Sequence, residues 1–145
     1  APDREGRGLA RAMTGALERA GLTPGEVDVV FLHGTGTRYN DAMEAVAVGK
    51  VFGGSKRARV TAVKGMIGHT LGASGLVEAL LGVRMIQEGV VPGVVGMDEP
   101  EFAELPAVRV GDAGGPPYRE VRHVLKTASG FGGMNAAVVL SGIGL

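Results

Sequence analysis

The sequence lacks cysteine and tryptophan altogether, and it contains only two tyrosines and four phenylalanines among 145 residues. Without cysteine, the chain has no disulfide, no thiolate metal site and no cysteine nucleophile. So few aromatic rings argue against a surface on which nucleic-acid bases stack. The 15 basic and 15 acidic side chains cancel, so the net charge gives no reason to expect a nucleic-acid or anionic-membrane partner.

Long apolar runs are also missing, since none approaches the roughly 20 residues that cross a bilayer. No basic start followed by an apolar segment indicates a secretion signal. We therefore expect a soluble, cytoplasmic protein that makes no membrane contact. Its length suits one domain, residues 1–145, with a substantial core.

Glycine is abundant instead, with 26 copies that cluster around apolar segments. The periodicity of those segments predicts helices over residues 9–20, 41–51 and 71–87, and strands over 27–32, 59–63, 121–128 and 135–140. A short strand over 107–110 is predicted within a glycine- and proline-rich connection, residues 93–118. Helices that alternate with strands and end in a hairpin favour a three-layer α/β/α unit with a mixed sheet of five strands.

His33 follows a continuously apolar strand and begins a loop of glycine and threonine, residues 33–37. A histidine titrates near neutral pH, so at this place it could polarise a carbonyl group or move a proton. The alternative is a histidine that caps the strand through a backbone hydrogen bond. The residue alone does not decide between these two hypotheses.

A second candidate cluster contains Lys64, His69 and Glu78. If His69 stands at the entrance of the third helix, Glu78 lies about two turns inside that helix. A buried Lys64–Glu78 pair would then hold the imidazole of His69 in one tautomer and balance the neighbouring charge. The small residues 72–75 would let another backbone approach the helix closely. The alternative is an exposed ion pair beside a histidine at a helix end.

The predicted hairpin turns through Gly130–Asn135, where glycines surround Phe131. Such a loop can offer a main-chain N–H group to an oxyanion and use the aromatic ring as a movable gate. The alternative is a tight glycine turn whose phenylalanine packs in the core.

Motifs for phosphate and metal binding are missing. No P-loop occurs, and Gly34 and Gly36 are not followed by the third glycine of a dinucleotide fingerprint. His33, His69 and His123 are scattered and have no cysteine partners, so we expect no metal site. His123 lies within an apolar strand, where it is interpreted as structural or exposed on one face.

Three motifs occur in this order: HGTGT at residues 33–37 with Asn40, Asp41 and Glu44, then Lys64 with GHTLGASG at 68–75, then GFGGMN at 130–135. Together they closely resemble the motifs of the β-ketoacyl-acyl-carrier-protein synthases, condensing enzymes of fatty-acid and polyketide assembly in the thiolase superfamily. They follow the order and spacing of the family over nearly the whole chain. The resemblance implies the C-terminal half of a thiolase-like fold, with the N-terminal half absent.

The resemblance implies a decarboxylative Claisen condensation between a cysteine-bound acyl group and malonyl on a carrier protein. His33 and His69 match the histidines that hold the malonyl thioester carbonyl and stabilise the enolate, a task that suits neutral imidazoles donating Nε2–H. Lys64 matches the lysine that orients the site, and Glu78 matches its acidic partner. Phe131 matches the gating phenylalanine, whose backbone N–H also helps to form an oxyanion hole.

Substrate binding is implied for Thr35 and Thr37, which match hydroxyls that contact the pantetheine arm, and for Gly132 and Asn135 in a loop that the asparagine braces. The phosphopantetheine arm arrives on the acyl carrier protein, so no cofactor of the chain itself is implied. The implied partners are this carrier protein and an N-terminal half with the nucleophilic cysteine, in a homodimer or a heterodimer. We expect an exposed apolar face where that half would dock, and no turnover by this chain alone.

Three alternatives stay open beside the synthase. One is a thiolase, although thiolases typically carry a second cysteine in this half. Another is a non-catalytic partner that resembles the chain-length-factor subunits, which often lose the histidines that this chain keeps. The third is a fragment that only folds or dimerises.

The chain departs from the family pattern at three positions. Gly65 stands where serine is usual, and Met134 stands where threonine is common. Ser129 replaces the first phenylalanine of the frequent Phe-Gly-Phe pattern, and we hypothesise that this replacement widens the acyl pocket.

If Ser129 widens the pocket, Ser129→Phe in the complete enzyme should shift the preference towards shorter acyl groups, because the ring fills space that a longer chain would use. Relative kcat/KM values for acyl substrates of increasing length measure the shift. An unchanged chain-length preference would contradict the hypothesis.

Overall fold

The computed structural model describes residues 3–55, 57–97 and 120–143. Its helices are α1 (Arg7–Ala20), α2 (Arg38–Phe52), α3 (Lys64–Ile67) and α4 (Ser74–Glu88). Its strands are β1 (Val29–Phe31), β2 (Arg59–Thr61), β3 (His123–Gly130) and β4 (Met134–Ser141). Single 3₁₀ turns cover Pro24–Glu26, Leu71–Ala73 and Phe131–Gly133. None of the helices in the described ranges is long and apolar enough to cross a membrane.

The described strands form one sheet in the order β2-β1-β3-β4. β1 pairs in parallel with β2 and with β3, whereas β3 and β4 form an antiparallel hairpin. This arrangement confirms the predicted mixed sheet. β1 lies inside the sheet, and its continuously apolar sequence suits a strand buried on both faces. The predicted strand over 107–110 lies outside the described residues.

Helices cover both faces of the sheet, which confirms the predicted three-layer α/β/α arrangement. Side chains of β1 and the residue after it alternate between the faces: Val30 and Leu32 pack with α1 and α2, while Val29 and Phe31 pack with α4. On the first face the helices contribute Leu9, Met13, Leu17, Met43, Ala47, Val48 and Phe52. Packing from both sides fixes the central strand and therefore the position of its carboxyl end.

Gly82 allows α4 to lie close to the sheet. A Cβ atom at this position would lie 2.7 Å from Leu140 Cδ1 and 3.5 Å from Val124 Cγ1, so a larger residue would have to displace the Leu140 side chain. The close backbone approach predicted at residues 72–75 is wrong for the described part of the chain. A Cβ atom at Gly72 or Gly75 would meet nothing there within 4 Å.

Several predicted boundaries differ from the structure by a few residues, and three of these differences lie near the candidate site residues. α2 begins three residues earlier than predicted, so Asn40 lies inside the helix, where it donates to Glu44 Oε2 at 2.9 Å. The loop predicted between Lys64 and His69 contains the helical turn α3, which ends where the Gly68 N–H donates to the Lys64 carbonyl at 2.9 Å. α4 begins three residues later than predicted, after a 3₁₀ turn.

Asp28 joins three segments at the amino-terminal edge of the sheet. Its Oδ1 atom accepts a hydrogen bond from Arg57 Nε at 2.8 Å, and its Oδ2 atom accepts from the backbone N–H groups of Arg122 at 2.8 Å and His123 at 3.0 Å. Only 8% of the side chain is exposed, so these donors replace the water that the carboxylate loses on folding. One carboxylate thus ties β1 to β3 and to the segment before β2.

We expect Asp28→Ala to lower the free energy of unfolding by about 3 kcal/mol, because two backbone N–H groups and a guanidinium lose their acceptor. Urea unfolding followed by circular dichroism measures the change. Glu88→Ala is the control, since it removes an exposed ion pair with Arg84 at the end of α4 and should leave the unfolding midpoint close to that of the unaltered chain. Equal midpoints for the two variants would contradict this role of Asp28.

Candidate active site

Three strands end at the same edge of the sheet, because β1, β2 and β3 run in parallel. His33 follows β1, Lys64 follows β2, and the turn Phe131–Gly133 follows β3. The predicted site residues, which are distant in sequence, therefore share the edge at which parallel sheets place their sites.

The backbone around His33 is held by a buried carboxylate of α2. The His33 N–H donates to Glu44 Oε1 at 2.8 Å and to Thr127 Oγ1 at 3.1 Å, and the Gly34 N–H donates to Glu44 Oε2 at 2.8 Å. Burial raises the pKa of Glu44, and the backbone hydrogen bonds oppose this rise by favouring the carboxylate. Gly34 has a φ of +56°, and a Cβ atom there would lie 2.3 Å from Ala62 Cβ, so this turn requires glycine.

Lys64 and Glu78 form the buried ion pair that the sequence predicts. Their side chains are 4% and 1% exposed, and Lys64 Nζ contacts Glu78 Oε1, which excludes the alternative of an exposed pair. Lys64 also donates to the His33 carbonyl oxygen at 2.5 Å, and its Nζ lies 3.4 Å from His33 Nδ1. The imidazole that this pair holds is therefore that of His33 after the neighbouring strand, so the prediction that it holds His69 is wrong.

His69 is oriented by the turn that follows it. Its Nδ1 atom accepts a hydrogen bond from the Leu71 N–H at 3.0 Å and lies 3.0 Å from Ser74 Oγ. Because a backbone N–H can only donate, Nδ1 carries a lone pair, so the ring is neutral and its proton is on Nε2. Leu71 has a φ of +51°, which non-glycine residues rarely adopt, and this strained turn presents its N–H to the ring.

The two imidazole rings lie beside each other, with centroids 5.3 Å apart and planes at 81°. Burial, together with the positive charges of Lys64 and Lys126, lowers the pKa of His33 to about 4. His33 is therefore neutral at pH 7, and its Nδ1 faces the Lys64 ammonium as an acceptor, which leaves its proton on Nε2. The site thus contains two uncharged rings that each carry an Nε2–H donor.

Two residues of the site were not assigned a role from the sequence. Lys126 of β3 is 2% exposed, its Nζ lies 2.6 Å from Glu78 Oε2, and it donates to the Leu32 carbonyl oxygen at 2.9 Å. Glu44 was noted only within a motif, although it holds the backbone of His33. Both could have been found as charged residues at positions that the sequence pattern predicts to be buried. Lys126 stands in an apolar strand, and Glu44 stands among the apolar residues on one side of α2.

The loop after His33 carries the hydroxyls that were predicted to bind the pantetheine arm. Thr35 Oγ1 and Thr37 Oγ1 lie 2.9 Å apart and share a hydrogen bond. Thr35 is half-buried and Thr37 is exposed, so the two hydroxyl groups lie at the surface, close in sequence to His33.

His123 lies away from the site, at the beginning of β3 and thus at the other edge of the sheet. Its Nδ1 atom is 2.9 Å from Ser141 Oγ on the partner strand, which fits the structural interpretation. Within the part of the chain that the structure describes, no three histidine, aspartate or glutamate side chains converge on a possible metal position.

The turn between β3 and β4 presents Phe131 to solvent. Its side chain is 99% exposed, so the alternative of a phenylalanine packed in the core is wrong. Gly132 and Gly133 have φ values of +78° and +80°, which let the chain reverse sharply. Asn135 Nδ2 donates to the Gly133 carbonyl at 3.1 Å, and Asn135 Oδ1 accepts from Ser129 Oγ at 2.9 Å. The asparagine thus ties the turn to β3, at the position where a bracing asparagine was predicted.

Apolar side chains are exposed along α4 and next to the site. Leu76, Leu80 and Val83 follow helical spacing on one side of α4 and are all exposed. Further exposed apolar residues, close in sequence to the site residues, are Met66, Ile67, Leu71, Phe131 and Met134. These residues supply the exposed apolar surface that was predicted, and surfaces of this kind mark protein contacts.

The lowered pKa of His33 predicts that the fold loses stability in acid. Between the folded pKa of about 4 and the ordinary value of 6.5, the unfolded chain binds a proton that the folded chain does not. The free energy of unfolding should therefore decrease as the pH falls from about 7 to about 4. Urea unfolding across this range measures the slope, and His33→Gln should show a shallower one because glutamine does not titrate. Identical slopes would contradict a buried, neutral His33.

Comparison with known proteins supports the resemblance. The sequence matches the protein family described as "Beta-ketoacyl synthase, C-terminal domain" over residues 1–98. The 3-oxoacyl-[acyl-carrier-protein] synthase 2 of Mycobacterium tuberculosis is 38% identical over 141 residues, which cover 95% of this chain and 32% of that protein. The chain thus spans about a third of the length of this relative.

Two solved structures share the fold. The ishigamide ketosynthase/chain length factor matches with a TM-score of 0.88 and 35% identity, over 99% of this chain and 34% of that one. A type II polyketide acyl-carrier protein in complex with its ketosynthase, bound to the hexaketide, matches with a TM-score of 0.87 and 26% identity, over 98% of this chain and 34% of that one. These matches confirm the predicted thiolase-like fold. Because sequence, fold and site geometry agree, the chain belongs to the β-ketoacyl synthase family, in which it corresponds to the C-terminal domain.

Proposed function

We propose that this chain is the histidine-bearing part of a 3-oxoacyl-acyl-carrier-protein synthase, an acyltransferase of fatty-acid or polyketide biosynthesis. The observation that carries the proposal is the adjacent pair of neutral imidazoles, His33 and His69, whose Nδ1 atoms are both engaged within the chain. Each ring keeps its Nε2–H for a substrate. Two such donors side by side suit a carbonyl oxygen on which negative charge develops.

The proposed reaction is a decarboxylative Claisen condensation. The thioester carbonyl oxygen of malonyl on its carrier protein accepts hydrogen bonds from the two Nε2–H groups. The bond between the malonyl carboxylate and the α-carbon breaks, carbon dioxide leaves, and its electron pair forms an enolate whose oxygen the two donors stabilise. The α-carbon then attacks the acyl thioester on the cysteine of an N-terminal half. A carbon–carbon bond forms and the cysteine thiolate leaves.

Lys64 and Glu78 support this chemistry by controlling His33. The lysine holds the His33 carbonyl oxygen and faces the Nδ1 atom of its ring, while the glutamate balances the charge of the lysine. An ammonium group beside Nδ1 disfavours protonation of the ring. His33 therefore stays a neutral donor at the pH at which the condensation runs.

The loop that begins at His33 and the turn between β3 and β4 are assigned to substrate binding. Thr35 and Thr37 contact the pantetheine arm through hydroxyl groups that lie at the surface. The ring of Phe131 gates the entrance for the acyl group, and its backbone N–H contributes to the oxyanion hole of the acyl thioester. Gly132 and Asn135 shape the turn that holds this N–H.

The proposed partners are an acyl carrier protein and an N-terminal half with the nucleophilic cysteine, in a homodimer or a heterodimer. The descriptions of similar structures support them, since one contains a ketosynthase with a chain length factor and another contains a carrier protein with its ketosynthase. The exposed apolar residues of α4 suit a protein contact. We place the complex in the cytoplasm. The phosphopantetheine arm arrives with the carrier protein, so the chain needs no cofactor of its own.

His33→Ala and His69→Ala should each lower condensation by about 10²–10³-fold in the assembled synthase, which combines this chain with the cysteine-bearing half, because each removes one donor to the developing oxyanion. Formation of the β-ketoacyl product and release of carbon dioxide from malonyl-carrier protein measure the loss. His123→Ala is the matched control, since this histidine lies at the opposite edge of the sheet and should leave the rate unchanged. Full activity of either site variant would contradict the proposal.

The same assay on the purified chain should show no condensation with acyl and malonyl carrier substrates, because the chain contains no cysteine to hold the acyl group. Addition of the cysteine-bearing half should supply the missing nucleophile. Product formed by the chain alone would overturn the division of the reaction between two halves.

A further inference from the structure

Lys126 has no part in the reaction as proposed, yet it is one of the most deeply buried charges of the site. It enters from β3, the strand next to β1, and only 2% of its side chain is exposed. Its Nζ lies 2.6 Å from Glu78 Oε2, while Glu78 Oε1 contacts Lys64. Burial lowers the pKa of Lys126, and the Glu78 carboxylate opposes this change. One buried carboxylate is therefore shared by two ammonium groups from different elements.

Lys126 also holds the peptide group that precedes His33. It donates to the Leu32 carbonyl oxygen at 2.9 Å, just as Lys64 donates to the His33 carbonyl oxygen at 2.5 Å. The N–H groups of the same two peptides both donate to Glu44. Both peptide groups that flank the His33 Cα atom are thus held by a carboxylate at the N–H and by an ammonium group at the carbonyl.

The charges around His33 balance only when both lysines are present. The ionisable groups that face it are Lys64 on α3, Lys126 on β3, Glu78 on α4, Glu44 on α2 and His69 before α4. Two ammonium groups and two carboxylates cancel, and the Nδ1 atom of the other imidazole accepts a hydrogen bond, which keeps that ring neutral. Without the charge of Lys126, two carboxylates would face one ammonium group, and a proton on His33 would be stabilised.

We infer that Lys126 is a positioning residue of the proposed synthase site, where it shares the Glu78 carboxylate with Lys64 and fixes both the position and the neutral state of His33. The inference rests on the proposed function, because it explains how this histidine stays a donor. Lys126 acts through Glu78 and through the peptide before His33, and it needs no contact with the substrate.

An NMR titration of ¹³C-labelled histidine tests the inference without reference to turnover, in the assembled synthase, with His33→Gln to identify the His33 resonance. Lys126→Met removes the charge and the donor, Lys126→Gln removes the charge but keeps a donor, and Lys126→Arg keeps both. We expect the pKa of His33 to rise by about 1 unit or more in the Met and Gln variants and to stay low in the Arg variant. Lys50→Met, which alters an exposed lysine of α2, is the control and should leave it unchanged.

The pH dependence of condensation provides a second measurement. In the Met and Gln variants the acid limb of the rate profile should move to higher pH by the same amount, because protonation of His33 displaces the neutral donor. A merely structural role would lower the rate equally at every pH.

An unshifted His33 titration in both neutral variants would overturn the inference, and so would an Arg variant whose His33 pKa shifts as far as that of the Met variant. Both of these titration results are obtained without turnover, whereas the proposed function fails if the unaltered synthase forms no product. The two failures can therefore be told apart.

Discussion

The carboxylate of Glu78 lies between the ammonium groups of Lys64 and Lys126, and the geometry of the site depends on this shared charge. Either lysine would be costly to bury alone, and the carboxylate offsets both costs. The lysines also donate to the carbonyl oxygens of Leu32 and His33, so the cluster fixes the chain where β1 ends. A shift of this segment would leave a buried charge without its partner, at a cost of about 3–5 kcal/mol.

The parallel strands explain how residues so distant in sequence come to share this cluster. Phe31 is paired with Thr61 on one side and with Lys126 on the other, so the ends of β1 and β2 lie beside Lys126 in the middle of β3. Carboxylates secure these strands at both edges of the sheet. Asp28 holds the amino-terminal edge through backbone N–H groups of β3, and Glu44 holds the carboxyl-terminal edge through those after β1. The register that positions the imidazoles is therefore fixed from both ends by buried hydrogen bonds to charged groups.

Local patterns of the sequence predict the layers of the fold and the candidate residues, whereas the partners of those residues depend on contacts between strands. The places of Lys64 and Glu78 on either side of a helix entrance predicted an ion pair, but left open whether that pair is buried or exposed. The imidazole that the lysine meets could not be predicted from the sequence, because it depends on β2 lying beside β1. Lys126 shows the same limit, since the two-residue period of a strand says which side chains share a face but not whether a lysine there meets a carboxylate. The helical turn α3 has only four residues, too few for a periodic pattern.

The histidine pair and the Phe131 turn differ in how firmly this chain holds them, and the difference suits their proposed tasks. Both imidazoles are oriented by hydrogen bonds from buried or backbone groups of the same chain, so their donors are in place before a substrate arrives. Donors that stabilise an enolate must be fixed in advance, because reorganisation during the reaction would consume part of the stabilisation. The backbone of the turn is set by its glycines and by Asn135, but the phenylalanine ring is fully exposed. A gate has to move as substrates enter, so a ring that this chain leaves unpacked fits that role. In the proposed synthase, the half that brings the cysteine would therefore have to position the nucleophile and the acyl group, but not the groups that stabilise the enolate.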